Sequence, residues 1–198
     1  MPARRRCFAQ LTFGPDGSLA HRHRKLMPTY HERLIWGLGD GSTLRATRVG
    51  PATVGGLICW EHWMPLARQA LHNAGEEIHV AQWPGVQEMH QVASRGYAFE
   101  GRCFVLAVGS ILRWQDLPPE LPPRPDRATD PDAFMIRGGS AIIAPDGRYL
   151  AGPVFDEETV LVADCDLAEI ARESLTLDVS GHYSRPDVFQ FRVRPLAD

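Results

Sequence analysis

Residues 54–75 read VGGLICWEHWMPLARQALHNAG. The first seven, VGGLICW, are a short apolar run of buried-strand type. MPLARQALHNAG follows with helix signals: Pro65 suits the first turn and Gly75 the C-terminal cap. Ala67, Ala70, Leu71 and Ala74 fall on one face of that helix. Cys59 therefore stands where a strand turns into a helix, close to free backbone N–H groups and a helix N-terminus. Both features stabilise a thiolate or an oxyanion. A buried core cysteine is the competing reading at this position.

The pattern repeats outward from this unit. EIHVAQW (77–83) reads as a strand. VQEMHQVASRGYAFEGR (86–102) reads as a helix, with Met89, Val92, Gly96 and Phe99 on one stripe. CFVLAVGS (103–110) reads as a third buried strand. Strands alternating with helices imply α/β layer packing. Two hairpins flank the strand–helix units, each turning at a PDG tripeptide: FAQLTFGPDGSLAHRHRK (8–25) and SAIIAPDGRYLAGPVF (140–155). Residues 113–134 hold six prolines and are expected as a loop, without regular helix or central strand. A strand is expected at TVLVADCDL (159–167), a short helix near DLAEIARESL (166–175), and an extended tail over 176–198.

The chain has 198 residues, net charge −3, 44% hydrophobic and 23% charged residues, which fits one soluble domain, 1–198. Bulk charge points to no nucleic-acid or membrane partner, and no apolar run reaches the ~18 residues of a membrane span. The basic start lacks the apolar stretch of a secretory signal. Cys7, Cys59, Cys103 and Cys165 form no CxxC pair. That argues against structural zinc and for a reducing, cytoplasmic setting.

Lys25 closes the run HRHRK, and Glu32 lies seven residues on. A lysine beside a thiol favours the thiolate and polarises developing negative charge; a solvated basic patch is the alternative. Glu32 reads as a carboxylate holding the lysine or as a surface charge. His21 and His23 share one face of a strand, without a carboxylate or thiol partner in sequence, and read as solvated rather than as metal ligands. GLGDGS (37–42) reads as a turn, His62 as lying beside the Cys59 site, and Glu61 as a partly buried structural carboxylate. Cys7, Cys103 and Cys165 read as core or edge residues.

HRKLMPTYHERLIWGLGDGSTL (23–44) and GGLICWEHWMPLARQAL (55–71) resemble the lysine and cysteine motifs of the nitrilase superfamily of carbon–nitrogen hydrolases. The resemblance continues through VAQWPG, SRGYAFEGRCFVLAVGS and GHYSRPDVF, and its details look like the nitrilase branch. It implies an α/β fold, part of a four-layer αββα sandwich, in which the lysine and cysteine strands lie side by side in the sheet. It implies Cys59 as nucleophile, Lys25 as the catalytic lysine, Glu32 as an additional glutamate near them and the Trp60 N–H at the oxyanion site. No cofactor is implied, and the substrate is a small nitrile or an amide. A homodimer or higher homo-oligomer is expected, its helix layers packing with two-fold symmetry through the stripes named above.

The family's general-base glutamate belongs to a motif upstream of the lysine. Here only Asp16 is acidic among the 24 residues before Lys25. The expectation is a chain lacking the N-terminal portion of the sandwich and impaired in hydrolysis. An inactive remnant that binds a partner, and an amidase-like thiol hydrolase, are the alternatives.

Overall fold

The computed structural model describes residues 6–121, 130 and 132–195. Parts of the proline-rich stretch (122–129 and 131) and of the tail (196–198) lie outside the described residues, as do the first five.

The first hairpin pairs β1 (Ala9–Phe13) with β2 (Leu19–Arg24) in a sheet of its own. The main sheet has seven strands. β3 (Thr47–Val49) is antiparallel to β4 (Ala52–Ile58). β4, β5 (Ile78–Trp83) and β6 (Phe104–Gly109) are parallel, and α1 (Pro65–Asn73) and α2 (Glu88–Gly101) make the crossovers. β8 (Phe134–Ile143) is antiparallel to β6, and short β7 (Ile111–Arg113) and β9 (Tyr149–Phe155) both pair with β8.

One sheet face is sealed. Leu57, Ala81, Trp83, Val105, Ala107, Ala141 and Ile143 pack under Ala67 and Leu71 of α1 and Ala93, Tyr97 and Ala98 of α2. Each fully buried leucine in this layer contributes roughly 1.5–3 kcal/mol. The other face is open at Val108 but carries the first hairpin over β4. Both glycines of VGGLICW serve close approach. A β-carbon at Gly56 would collide with the Gln10 amide of β1, and one at Gly55 with the Glu76 carboxylate.

Five expectations are corrected. The lysine strand β2 does not lie beside the cysteine strand β4 in one sheet; it belongs to the hairpin packed against that sheet, because its backbone is already paired to β1. TVLVADCDL is not a strand: it has no ladder partner among the described residues, and Val160 and Val162 stand exposed. The α1 stripe is not a free pairing surface, since Ala67, Ala70 and Leu71 are spent against the sheet; the α2 stripe of Met89, Val92 and Phe99 is exposed. His21 and His23 are buried rather than solvated, because the hairpin packs that face inward. After α3 (Ala168–Ser174) the tail from 176 turns repeatedly and is not extended throughout as expected, then passes Gly41, where a β-carbon would strike Val193 and Arg194.

Candidate active site

β4 ends at Ile58, and the chain enters a turn of 3-10 helix, Cys59–Trp63. Cys59 adopts φ +58°, a left-handed conformation that a β-carbon disfavours by about 1–3 kcal/mol. Two side chains from the same turn hold it there. Glu61 accepts the Ile58 N–H at 2.8 Å, and His62 Nδ1 contacts the Cys59 carbonyl oxygen at 2.7 Å. Parallel register places Cys59 at the C-terminal edge of the sheet, where open α/β sheets bind ligands.

The lysine comes from the other sheet. Lys25 follows β2, and its backbone is pinned by Lys25 N–H to Phe8 O (2.9 Å) and Gly39 N–H to Lys25 O (2.8 Å). Its ammonium is 1% exposed, donates to Glu32 Oε2 at 2.6 Å and Thr29 Oγ1 at 3.3 Å, and lies 5.4 Å from the Phe8 ring centre. Glu32 sits on a second 3-10 turn, Tyr30–Leu34, and also accepts the Thr29 N–H at 2.6 Å.

Glu61 joins the two halves. Its carboxylate is fully buried and accepts the Leu26 N–H at 2.7 Å and His23 Nε2–H at 3.0 Å in addition to Ile58. One side chain thus ties the residue after Lys25 to the residue before Cys59. The sequence reading of Glu61 as partly buried understates this.

The electrostatics of the thiol are balanced. Burial pushes Cys59 up from the usual thiol range, the Lys25 ammonium and the Trp60 N–H pull it back, and the charges of Glu32 and Glu61 add to the rise. The resting group is therefore a thiol, and attack by its sulfur requires removal of the proton. Lys25, Glu32 and Cys59 are brought into one electrostatic neighbourhood, and the Trp60 N–H faces the sulfur while its indole is half exposed at the surface. Among the described residues no cluster of His, Cys, Asp or Glu is arranged to hold a metal ion.

His62 lies directly beside Cys59, on its carbonyl side. It is buried under the turn, stacked on Trp83, with Nε2 3.0 Å from Nε2 of His79. His79 Nδ1 lies 2.9 Å from Glu76 Oε2, and the Tyr97 hydroxyl donates to the same carboxylate. Sequence reading missed this network. The period-2 pattern of β5, which sends His79 inward with Ala81 and Trp83, was the available signal. A cleft bounded by Gly109, Ile111, Phe134 and Ser140 opens at the C-terminal end of β6, two strands away, and includes none of the candidate residues.

Residues 7–172 match the carbon–nitrogen hydrolase family. The chain is 46% identical over 184 residues to an aliphatic nitrilase of Sinorhizobium fredii, covering 92% of this chain and 58% of that protein. It is 43% identical to a bifunctional nitrilase/nitrile hydratase of Lupinus angustifolius, covering 93% of this chain and 54% of that protein. An arylacetonitrilase of Trametes versicolor is 41% identical, with 91% of this chain and 60% of that protein covered. The chain thus spans between half and two thirds of the length of these relatives. Among solved structures, a carbon–nitrogen hydrolase of Helicobacter pylori superposes with TM-score 0.70 at 21% identity, over 86% of this chain and 60% of that one. Nit3 of Saccharomyces cerevisiae, a member of branch 10 of the nitrilase superfamily, superposes with TM-score 0.66 at 18% identity, over 90% and 60%. This chain belongs to the carbon–nitrogen hydrolase family.

Proposed function

We propose that the chain carries the cysteine and lysine half of a nitrilase active site. The observation that supports this is the desolvated Lys25 ammonium set against the Cys59 thiol at the end of a parallel strand. The Cys59 sulfur adds to the carbon of a small nitrile. The thiol proton passes to the nitrile nitrogen and a thioimidate forms. Lys25 and the Trp60 N–H stabilise the negative charge that builds on that nitrogen. Water adds to the thioimidate and ammonia leaves, giving a thioester. A second water then releases the carboxylic acid and restores the thiol.

Each water step calls for a positioned base, typically contributing ~10²–10⁴-fold. The resemblance assigns that base to a glutamate ahead of the lysine motif, and these 198 residues hold no match to it. Glu32 accepts from Lys25 and Thr29 through Oε2, and Glu61 accepts from three donors.

The test is incubation with aliphatic and aromatic nitriles, following ammonia and intact mass. The expected result is an adduct on Cys59, absent in Cys59→Ala. Ammonia release that persists in Cys59→Ala would overturn the reading. An adduct on another cysteine would overturn the assignment of the nucleophile.

The exposed α2 stripe of Met89, Val92 and Phe99 supports a homo-oligomer built on that helix face. A monomer across a wide concentration range in light scattering would refute it. Cys59, Cys103 and Cys165 are free thiols, which supports a cytoplasmic setting.

A further inference from the structure

The Cys59 carbonyl and the Trp60 N–H are the two ends of one peptide unit. That unit is planar and trans, so its C=O and N–H point in opposite directions. The N–H faces the Cys59 sulfur, and the carbonyl points down to His62 at 2.7 Å. Whatever fixes the carbonyl therefore aims the N–H.

The protons of the buried network follow from its contacts. A carbonyl oxygen only accepts, so His62 Nδ1 carries a proton and donates to Cys59 O. Burial, then the charge on His79, hold His62 down at about 3, so it is neutral and its Nε2 is an acceptor. The proton in the 3.0 Å contact between the two Nε2 atoms then belongs to His79. His79 Nδ1 faces Glu76 Oε2 at 2.9 Å. Burial opposes ionisation of Glu76, but His79 and His72 prevail and hold its carboxyl at about 2, so it is a carboxylate and His79 donates there as well. The chain of contacts runs from Glu76 through His79 and neutral His62 to the Cys59 carbonyl.

We propose that His62 is a positioning residue for the nucleophile turn: by donating Nδ1–H to the Cys59 carbonyl, and itself accepting from His79, it locks and polarises the peptide whose opposite N–H binds the negative charge formed at or next to the Cys59 sulfur. Hydrogen bonds in series strengthen one another, so the Glu76 carboxylate acts on the oxyanion donor without any of these side chains touching substrate. The network also keeps Cys59 in its left-handed conformation, which that residue would otherwise leave. The role assigned to the Trp60 N–H rests on the nitrilase reading, but the orientation of the peptide does not, and the experiment separates the two.

The experiment follows iodoacetamide alkylation of Cys59 against pH, located by mass spectrometry, in the wild type and two variants. In His62→Asn the amide nitrogen replaces Nδ1 and retains the donor. In His62→Gln the amide is displaced toward the Nε2 position and the donor to Cys59 O is lost. His62→Asn should keep the wild-type profile. His62→Gln should ionise at higher pH and react roughly tenfold more slowly at pH 8, about the loss of one hydrogen bond to a charged sulfur. Equal profiles in the wild type and His62→Gln would overturn the proposal. So would equal impairment of both folded variants, which would make the imidazole a packing group only. If either variant fails to fold, nitrogen-15 spectra of histidine-labelled wild type decide. A Nδ1–H tautomer for His62 with both nitrogens protonated on His79 supports the relay, and a Nε2–H tautomer for His62 overturns it. Failure of nitrile chemistry with these alkylation and tautomer results intact would refute the enzymatic reading and leave the relay standing.

Discussion

The turns Tyr30–Leu34 and Cys59–Trp63 are built alike. Each is five residues of 3-10 helix, and each is entered through a residue with positive φ, 45° at Tyr30 and 58° at Cys59. Each places a glutamate third, and that glutamate accepts the backbone N–H of the residue before the turn, Thr29 or Ile58. Their surroundings differ. Cys59, Glu61 and His62 are buried, whereas no residue of the Tyr30 turn is. Glu61 spends its remaining capacity on two elements of the other half of the site, and Glu32 spends its own on one lysine. The same local motif is thus a rigid socket where the sheet closes over it and a tether for one cation where water reaches it.

The largest expected effect is at Glu61. Glu61→Ala strands the Leu26 and Ile58 N–H groups and His23 without their acceptor. Breaking a buried charged network of this kind costs about 3–5 kcal/mol. Glu32→Ala removes a carboxylate whose side chain is 30% exposed but strands the buried Lys25 ammonium, and should cost less, about 1–3 kcal/mol. Urea unfolding of both variants measures the gap. Equal losses would mean that burial does not distinguish the two turns.

Acid should expose the same difference, somewhat more weakly. The Cys59 turn rests on Glu76, held at about 2 against 4.5, and on His62, held at about 3 against 6.5. Both folded values are depressed, so their stability contributions are present above the unfolded values and are lost as pH falls through the folded ones. Stability should decline from pH 6.5 down to 2, with the Glu76 share about 3 kcal/mol at 1.36 kcal/mol per pKa unit. Glu76→Gln should be less stable at pH 7 and flatter across that range. An acid profile with the wild-type slope would show that Glu76 is not the group being protonated.

The sequence carried the socket better than the tether. VGGLICW and its helix are read from local signals, namely a short apolar run, Pro65 and Gly75, and these survive in the fold because the sheet core agrees with them. Lys25, Glu32 and Cys59 were legible only through long motifs, since their meeting spans two sheets and no spacing rule predicts it. TVLVADCDL has strand composition, but a strand also needs a partner edge, and partners are not written locally. His79 and Glu76 were passed over because burial of polar groups becomes visible only once every donor is matched to an acceptor.

Lys25→Met tests the tether from its charged end. The ammonium is the main influence opposing burial at Cys59, so its removal should raise the thiol further and slow alkylation at pH 8. Because the raised thiol favours the folded state only while it stays protonated, the wild type should lose stability as pH climbs above the ordinary thiol range near 9. A Lys25→Met variant with an unchanged alkylation profile would place the ammonium outside the field of the sulfur.

The smallest effect is expected at Glu32, and its sign makes it useful. Glu32 touches Lys25 and not Cys59, but its negative charge still raises the thiol. In Glu32→Gln the amide oxygen can keep the lysine contact while the charge is gone. Lys25 then acts on the sulfur without an opposing carboxylate. Alkylation of Cys59 at pH 8 should become faster, by roughly two- to fivefold, because water at a partly exposed side chain screens the rest. Raising the salt to about 1 M, where the screening length is about 3 Å, should shrink the difference between Glu32→Gln and wild type. If instead the variant reacts more slowly, Glu32 does more by holding Lys25 in place than by repelling the thiolate. The open turn would then be a positioning device of the same kind as the buried one, and the contrast between them would be one of exposure and not of role.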